Sequence, residues 1–167
     1  MLKLVLGGAR SGKSSFALTE GERLKGPRAL VATMEPLDAE TKLRIAAHKK
    51  ERGRRWKTFE EPTKIAPLIK GLKTEFNVII VDCITLWLSN LMLKGVDIKR
   101  EADAFIKAAC APGAVVIAVS NEVGLSIVPE SALGRAFRDE AGRLNQQLAA
   151  AAGEAWLVVA GLPQKIK

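Results

Sequence analysis

The residues best suited to chemistry lie close to the N-terminus, in the glycine-rich stretch GGARSGKS at 7–14, which matches the pattern G-x-x-x-x-G-K-[ST] of a phosphate-binding loop, or P-loop. Glycines let such a loop curl until successive backbone N–H groups point at phosphate oxygens, and the helix that follows adds the positive end of its dipole. Lys13 then reaches the outer phosphates as a catalytic residue, and the Ser14 hydroxyl ligates Mg²⁺. The position between a predicted strand and a predicted helix favours this interpretation over a glycine-rich turn. The predicted nucleotide contacts are Gly7, Gly8, Ala9, Arg10, Ser11, Gly12, Lys13 and Ser14.

A carboxylate that could share the metal is Asp82, which ends the apolar run VIIVD. In P-loop proteins an acidic residue at the end of such a strand holds Mg²⁺, directly or through water. The alternative is an acidic residue that forms side-chain hydrogen bonds at an ordinary strand-to-loop turn. The P-loop favours the metal role, and we predict Ser14 and Asp82 as the metal-binding pair.

The only histidine, His48, lies in the basic segment RIAAHKKERGRRW, residues 44–56. If 38–52 is a helix, Arg44, His48 and Arg52 share one face. Neighbouring cations disfavour the imidazolium, so the ring would stay neutral and nucleophilic, and the same cations would meet phosphates. Spacing alone favours the alternative, a solvated basic face that happens to carry a histidine.

The elements that must position these residues follow from the hydrophobic pattern. Apolar runs predict strands over 3–8, 28–33, 77–83, 114–120 and 155–161, with a short edge piece in the final PQKIK. Helical patterns cover 11–25, 38–52, 62–72, 84–93, 99–110 and 130–152. In the last of these, the apolar positions Leu133, Phe137, Ala141, Leu144 and Leu148 predict a core-facing stripe.

Strands that alternate with helices predict an α/β fold, a mostly parallel sheet with helices on both faces, in one domain over 1–167. Ligands of such sheets bind beyond the carboxyl ends of the strands. The loops that matter therefore begin near Gly7, Thr33, Asp82, Ser120 and Gly161. Asn121, Glu122 and Gly124 open one of them, either as a place for the phosphoryl acceptor or as a helix-entry turn.

Composition limits the partners and the compartment. The net charge of +8 indicates an anionic partner, and the low aromatic content of 5%, without tyrosine, favours small phosphorylated ligands over single-stranded nucleic acid. No signal-peptide pattern and no membrane-length apolar run is present, so a cytoplasmic location is predicted. Cys83 and Cys110 match no metal spacing, and we expect free thiols.

Several stretches together resemble one known family. They are GGARSGKS, RIAAHKKERGRRWKTFEEP, VDCITLWLSNLM, SNEVGLSIVPESALGRAFRDEAGRLNQQLA and WLVVAGLPQKIK. The chain is similar, over nearly its whole length and in the same order, to the bifunctional adenosylcobinamide kinases/adenosylcobinamide-phosphate guanylyltransferases of cobalamin biosynthesis. The block from NEVG to NQ is far more specific than a P-loop alone.

The resemblance implies a RecA-like P-loop NTPase fold, a homotrimer, and neither nucleic-acid binding nor a membrane span. It implies that ATP or GTP phosphorylates adenosylcobinamide, and that GTP then transfers GMP through His48 to adenosylcobinamide phosphate. Besides 7–14, the implied nucleotide contacts are Ala32, Thr33, Met34, Lys49, Lys50, Glu51, Arg52, Glu60 and Asp82.

Three other functions stay open from the residues themselves. The first is a small-molecule kinase in which His48 has no role. The second is an ATPase stimulated by nucleic acid, suggested by the positive charge and the predicted sheet. The third is a GTP-binding regulator without catalysis. Three measurements distinguish these functions. Labelling of the protein from the α-phosphate of GTP tests the first, the response of ATPase activity to added DNA or RNA tests the second, and turnover of cobinamide tests the third.

Overall fold

The computed structural model describes residues 1–35 and 55–167. The strands are β1 (Leu2–Gly7), β2 (Arg28–Ala32), β3 (Lys57–Glu60), β4 (Val78–Asp82), β5 (Val115–Asn121), β6 (Glu154–Val159) and β7 (Leu162–Lys165). The helices are α1 (Lys13–Glu22), α2 (Ile65–Leu72), α3 (Ile84–Leu93), α4 (Ile98–Cys110) and α5 (Ala132–Ala151). The predicted helix over 38–52, with His48, lies outside the described residues.

The strands form one 7-stranded sheet in the order β3-β2-β4-β5-β1-β6-β7. Among the strands within residues 1–35 and 55–167, only the β6–β7 pair is antiparallel, which confirms the mostly parallel α/β architecture. The predicted strands correspond to β1, β2, β4, β5 and β6, and the predicted edge piece to β7. The edge strand β3 was not predicted, because its sequence KTFE is short and half polar.

Strict alternation divides the side chains of the sheet between two faces. One face carries the larger core, where Leu4, Val81 and Ala118 pack under α2, α3, α4 and α5. The opposite face carries a smaller core under α1, in which Val119 and Trp56 are buried. Helices therefore cover both faces, as predicted, and α1, which follows the P-loop sequence, defines the second face.

The predicted apolar stripe of α5 is correct except at its first position. Ala141, Leu144 and Leu148 are buried and Phe137 packs against them, but Leu133 is 61% exposed. Leu133 lies in the first turn of the helix, whose residues are mostly exposed, so the helix contacts the core only from its second turn onward.

Two further observations concern the cysteines and the length of the apolar helices. Both cysteines are free thiols, Cys83 buried and Cys110 exposed. Within residues 1–35 and 55–167, no helix is both long enough and apolar enough to cross a membrane.

Candidate nucleotide-binding site

The glycine-rich loop joins β1 to α1 at the carboxyl edge of the sheet. Its turn depends on left-handed backbone conformations at Arg10 (φ 54°) and at Gly12 (φ 93°), the residue that caps α1. The Ser11 N–H donates to the Gly8 carbonyl at 3.3 Å, and the Phe16 N–H donates to the Gly12 carbonyl at 2.9 Å. Gly8, Ala9 and Arg10 are exposed, so the outer side of the turn is open to a ligand.

Lys13 folds back over this loop. Its ammonium donates to the Gly8 carbonyl at 3.1 Å, although the residue is only 9% exposed. An ammonium held there places a positive charge inside the turn of the backbone, next to the half-buried Ser14. The contact of Lys13 with the outer phosphates stays a prediction.

Two glycines of the loop leave no room for a side chain. A Cβ on Gly7 would lie 2.4 Å from Ser11 Oγ and 2.6 Å from the Val158 carbonyl oxygen. A Cβ on Gly12 would lie 3.1 Å from the Cα of Gly161, whose N–H donates to the Ser11 carbonyl at 2.8 Å. The loop is thus pressed against the end of β6 and held in one shape.

The Asp82 carboxylate lies at the end of β4 on the same sheet face as α1. Residues 78 and 80 of β4 pack in the smaller core under α1, and alternation puts Asp82 on their side. Burial, and then the charge of Asp82, raise the pKa of the neighbouring Cys83 thiol, while the Lys13 ammonium acts in the opposite direction. Asp82 and Lys13 are therefore both within electrostatic reach of Cys83.

Buried hydrogen bonds tie the ends of β2 and β4 together. The Thr33 hydroxyl donates to the Cys83 carbonyl at 2.7 Å and accepts from the Cys83 N–H at 2.9 Å. The Asn90 amide of α3 donates to the Thr33 carbonyl at 2.8 Å and to the Pro62 carbonyl at 2.9 Å. Asn90 thereby connects the end of β2 to the segment that follows β3.

A second set of bonds fixes the end of β5. The Asn121 N–H donates to Thr85 Oγ1 at 3.1 Å, and its carbonyl accepts from the Asn145 amide of α5 at 3.2 Å. Asn145 also accepts from the Ser120 hydroxyl at 2.7 Å. The next N–H, that of Glu122, donates to the Gly7 carbonyl at 3.0 Å and so connects this strand end to the P-loop.

Thr85, Asn90 and Asn145 were not among the predicted site residues. Asn90 is the only amide in the apolar helix ITLWLSNLML, and Asn145 adjoins the apolar stripe of α5. A single amide in an apolar helix, as at Asn90, is a sequence signal for a buried hydrogen-bonding role, since such groups are rarely left unpaired. Asn145 gives no such signal, because it begins the run NQQ.

The remaining predicted site residues divide into those at the strand ends and those outside the described residues. Ala32 is buried at the end of β2, with Thr33 and the half-buried Met34 following it, and Glu60 is exposed at the end of β3 in register with Ala32. His48, Lys49, Lys50, Glu51 and Arg52 lie outside the described residues. Trp56, part of the basic segment, is a core residue under α1.

The sequence of the chain identifies its relatives. Residues 3–166 match the family described as cobinamide kinase / cobinamide phosphate guanyltransferase. The chain belongs to this family. It is 42% identical to the bifunctional adenosylcobalamin biosynthesis protein CobU of Escherichia coli, 44% to that of Salmonella typhimurium and 40% to CobP of Pseudomonas aeruginosa. The alignments cover 100% of this chain and 100%, 100% and 98% of the respective relatives.

Solved structures with the same fold are much more distant in sequence. The flagellar accessory protein FlaH of Methanocaldococcus jannaschii has a TM-score of 0.55 at 15% identity, covering 99% of this chain and 77% of FlaH. An ATPase of a type III secretion system has a TM-score of 0.53 at 10% identity, covering 98% and 56%. These likenesses concern the fold alone, a mostly parallel α/β sheet with a P-loop sequence after its first strand.

Proposed function

We propose that this chain phosphorylates adenosylcobinamide and then transfers GMP from GTP to the product, giving adenosylcobinamide-GDP. The observation that carries the proposal is the folded P-loop, with Lys13 inside its turn and Asp82 at the same edge of the sheet, in a chain that matches the bifunctional family from end to end. The family supplies the substrates, and the P-loop supplies a place for the triphosphate.

In the kinase step the P-loop N–H groups and Lys13 bind the triphosphate of ATP or GTP. The hydroxyl of adenosylcobinamide attacks the γ-phosphorus, the bond to the β-phosphate oxygen breaks, and a nucleoside diphosphate leaves. Contacts with Gly161 and the end of β6 hold the loop in place beside the carboxyl edge of the sheet.

Ser14 and Asp82 fit a Mg²⁺ ion. A hydroxyl and a carboxylate are oxygen donors, and Mg²⁺ needs few protein ligands because it keeps waters and phosphate oxygens. Both residues belong to the α1 side of the sheet edge. When bound, the ion would neutralise charge on the outer phosphates.

In the second step His48 attacks the α-phosphorus of GTP and pyrophosphate leaves. The phosphate of the corrinoid then attacks the same phosphorus, the N–P bond breaks, and His48 is released. We propose Lys49, Lys50, Glu51 and Arg52 as nucleotide contacts beside the histidine, together with Ala32, Thr33, Met34 and Glu60 at the strand ends. The support for His48 is its place in the family sequence pattern.

Incubation with GTP labelled at the α-phosphate tests the second step. An acid-labile protein label is expected in the natural chain and is expected to disappear in His48→Ala, while nucleotide binding to the P-loop persists. A label that survives His48→Ala would contradict the role of the histidine. If the natural chain phosphorylates cobinamide but takes up no label from the α-phosphate of GTP, only the kinase half of the proposal is retained.

A substitution of Lys13 tests the triphosphate site. Lys13→Ala is expected to weaken triphosphate binding at least about tenfold, because a charge-assisted hydrogen bond to phosphate is lost. Lys25→Ala, at an exposed position just after α1, is the matched control and should bind as the natural chain does. Equal binding by the two variants would place the nucleotide elsewhere.

We further propose a homotrimer in the cytoplasm that does not bind nucleic acid, as the family resemblance implies. Sedimentation velocity of the purified chain tests the oligomer. ATPase activity that rises on addition of DNA or RNA would support the nucleic-acid-stimulated alternative instead.

A further inference from the structure

Asn121 lies at the end of the strand between the P-loop and Asp82. β5 pairs with β1 on one side and β4 on the other, with Asn121 level with Gly7 and Val119 level with Asp82. Asn121 therefore stands two residues beyond the level of Asp82, at the height where the P-loop begins.

The side chain of Asn121 belongs to the α1 face. Val119 packs in the core under α1, whereas the Ser120 hydroxyl bonds to Asn145 on the opposite face. Alternation returns residue 121 to the face of α1, which is also the face of Asp82.

The backbone of Asn121 is held while its carboxamide is left available. Thr85 accepts from its N–H, and Asn145 donates to its carbonyl. Among residues 1–35 and 55–167, no hydrogen bond is made to its half-buried side chain. Because the backbone on either side is fixed, the carboxamide can reach only a small volume at this strand end, and within the described residues it has no protein partner to lose when it binds a ligand.

We propose that the Asn121 carboxamide donates a hydrogen bond to the terminal phosphate of a bound nucleoside triphosphate. In P-loop proteins the outer phosphates extend from the P-loop toward the metal-binding carboxylate. Here β5 lies between β1, which leads into the P-loop, and β4, which ends in Asp82. This inference rests on the proposed kinase step and adds to it a residue that distinguishes a triphosphate from a diphosphate.

Binding of a non-hydrolysable triphosphate and of the matching diphosphate, by calorimetry, tests the proposal without any corrinoid. Asn121→Ala is expected to lose about tenfold in triphosphate affinity and less than about twofold in diphosphate affinity, since only the triphosphate carries the γ-phosphoryl group. Asn121→Asp, of nearly the same size, should lose more, because a carboxylate repels the phosphate. Ser126→Ala is the control in the same loop, since within the described part of the chain that hydroxyl bonds only to the Val123 and Ile127 carbonyls.

Kinase assays add a second, separable result. In Asn121→Ala, kcat for cobinamide phosphorylation should fall about tenfold or more with the KM for cobinamide unchanged. Equal losses for both nucleotides, no loss for either, or a change confined to the KM for cobinamide would overturn the role of Asn121. A natural chain that fails to phosphorylate cobinamide would refute the proposed function, while the comparison of triphosphate and diphosphate would still decide the role of Asn121.

Discussion

Thr33 shows how much of this site depends on single buried hydroxyls. It has no exposed surface, and its Oγ1 makes two hydrogen bonds to the backbone of Cys83, 50 residues away in the chain. Through these bonds the end of β2 fixes the residue that follows Asp82. A predicted nucleotide contact thus also has a structural role that its position in the sequence does not reveal.

Thr33→Val tests that role at nearly constant volume. It would leave the buried N–H and carbonyl of Cys83 without this partner, so we expect the free energy of unfolding to fall by about 2 kcal/mol or more. Thr74→Val is the control, because Thr74 is exposed and its hydroxyl, among residues 1–35 and 55–167, bonds only to the Gly71 carbonyl. Equal urea midpoints for the two variants would contradict the prediction.

The thiol of Cys83 illustrates the electrostatics of the same strand end. Burial and the charge of Asp82 raise its pKa, so the reactive thiolate is disfavoured at neutral pH. We expect iodoacetamide at pH 8 to label the exposed Cys110 in the folded protein and Cys83 only after unfolding. Peptide mass spectrometry measures both sites, and Cys110→Ser serves as the control. Fast labelling of Cys83 in the folded Cys110→Ser variant would contradict its burial.

At the scale of elements, α1 is held to the sheet by a close contact at Gly21. A Cβ there would lie 2.5 Å from Cη2 of Trp56, the buried indole that precedes β3. The glycine lets α1 approach Trp56, and α1 carries Lys13 and Ser14 at its other end. Packing at one end of the helix therefore helps to position the phosphate-binding end.

Two glycine substitutions separate this packing effect from helix propensity. Gly21→Ala should lower the free energy of unfolding by about 1–3 kcal/mol, because the added methyl group overpacks the contact with Trp56. At Gly71, in the last turn of α2, an added Cβ would have no atom of the described residues within 4 Å. Gly71→Ala should therefore raise the free energy of unfolding by about 0.5–1 kcal/mol. Thermal or urea unfolding checks both signs, and a stabilised Gly21→Ala would contradict the close approach.

At the scale of the whole molecule, β1 is an interior strand of the sheet, between β5 and β6. Its Lys3 is buried, and the ammonium lies 3.1 Å from Glu154 Oε2 on β6 and 3.8 Å from Glu20 Oε2 on α1. The hydrogen bond from Lys3 lowers the pKa of Glu154 against the opposing effect of burial. A β-strand, its neighbour and the P-loop helix thus share one charge cluster.

This cluster gives stability a definite pH dependence. Because the pKa of Glu154 in the folded protein lies below its ordinary value of 4.5, its stabilising effect is complete above that pH and is lost as the pH falls through the lowered value. Glu154→Gln should therefore be less stable than the natural chain at pH 7, with the difference shrinking below pH 4.5. Glu75→Gln, at an exposed position, is the control for the melting curves. A difference that is constant with pH would contradict the pairing with Lys3.

Local chemistry explains what the sequence predicted well. A strand that ends in glycines, followed by a lysine and a helix, indicates a P-loop from residue types and spacing alone, although Gly161 and Glu122 also hold the loop in the folded chain. Runs such as VIIVD are apolar because both faces of a parallel strand are buried. The strand order, the exposed Leu133 and the edge strand β3 were harder, since they depend on which elements meet. The role of His48, the trimer and the single domain over 1–167 stay predictions.

The sequence by itself determined the α/β fold class, the P-loop and the family, because each depends on residue types at fixed spacing along the chain. Only the tertiary structure decided that Thr33 holds Cys83, that Asn145 and Thr85 hold Asn121, and that Asn121 and Asp82 share the face of α1. These contacts join residues 24 to 50 positions apart. No local sequence pattern predicts these hydrogen-bonded pairs, since they form only when parallel strands bring their carboxyl ends to one edge of the sheet.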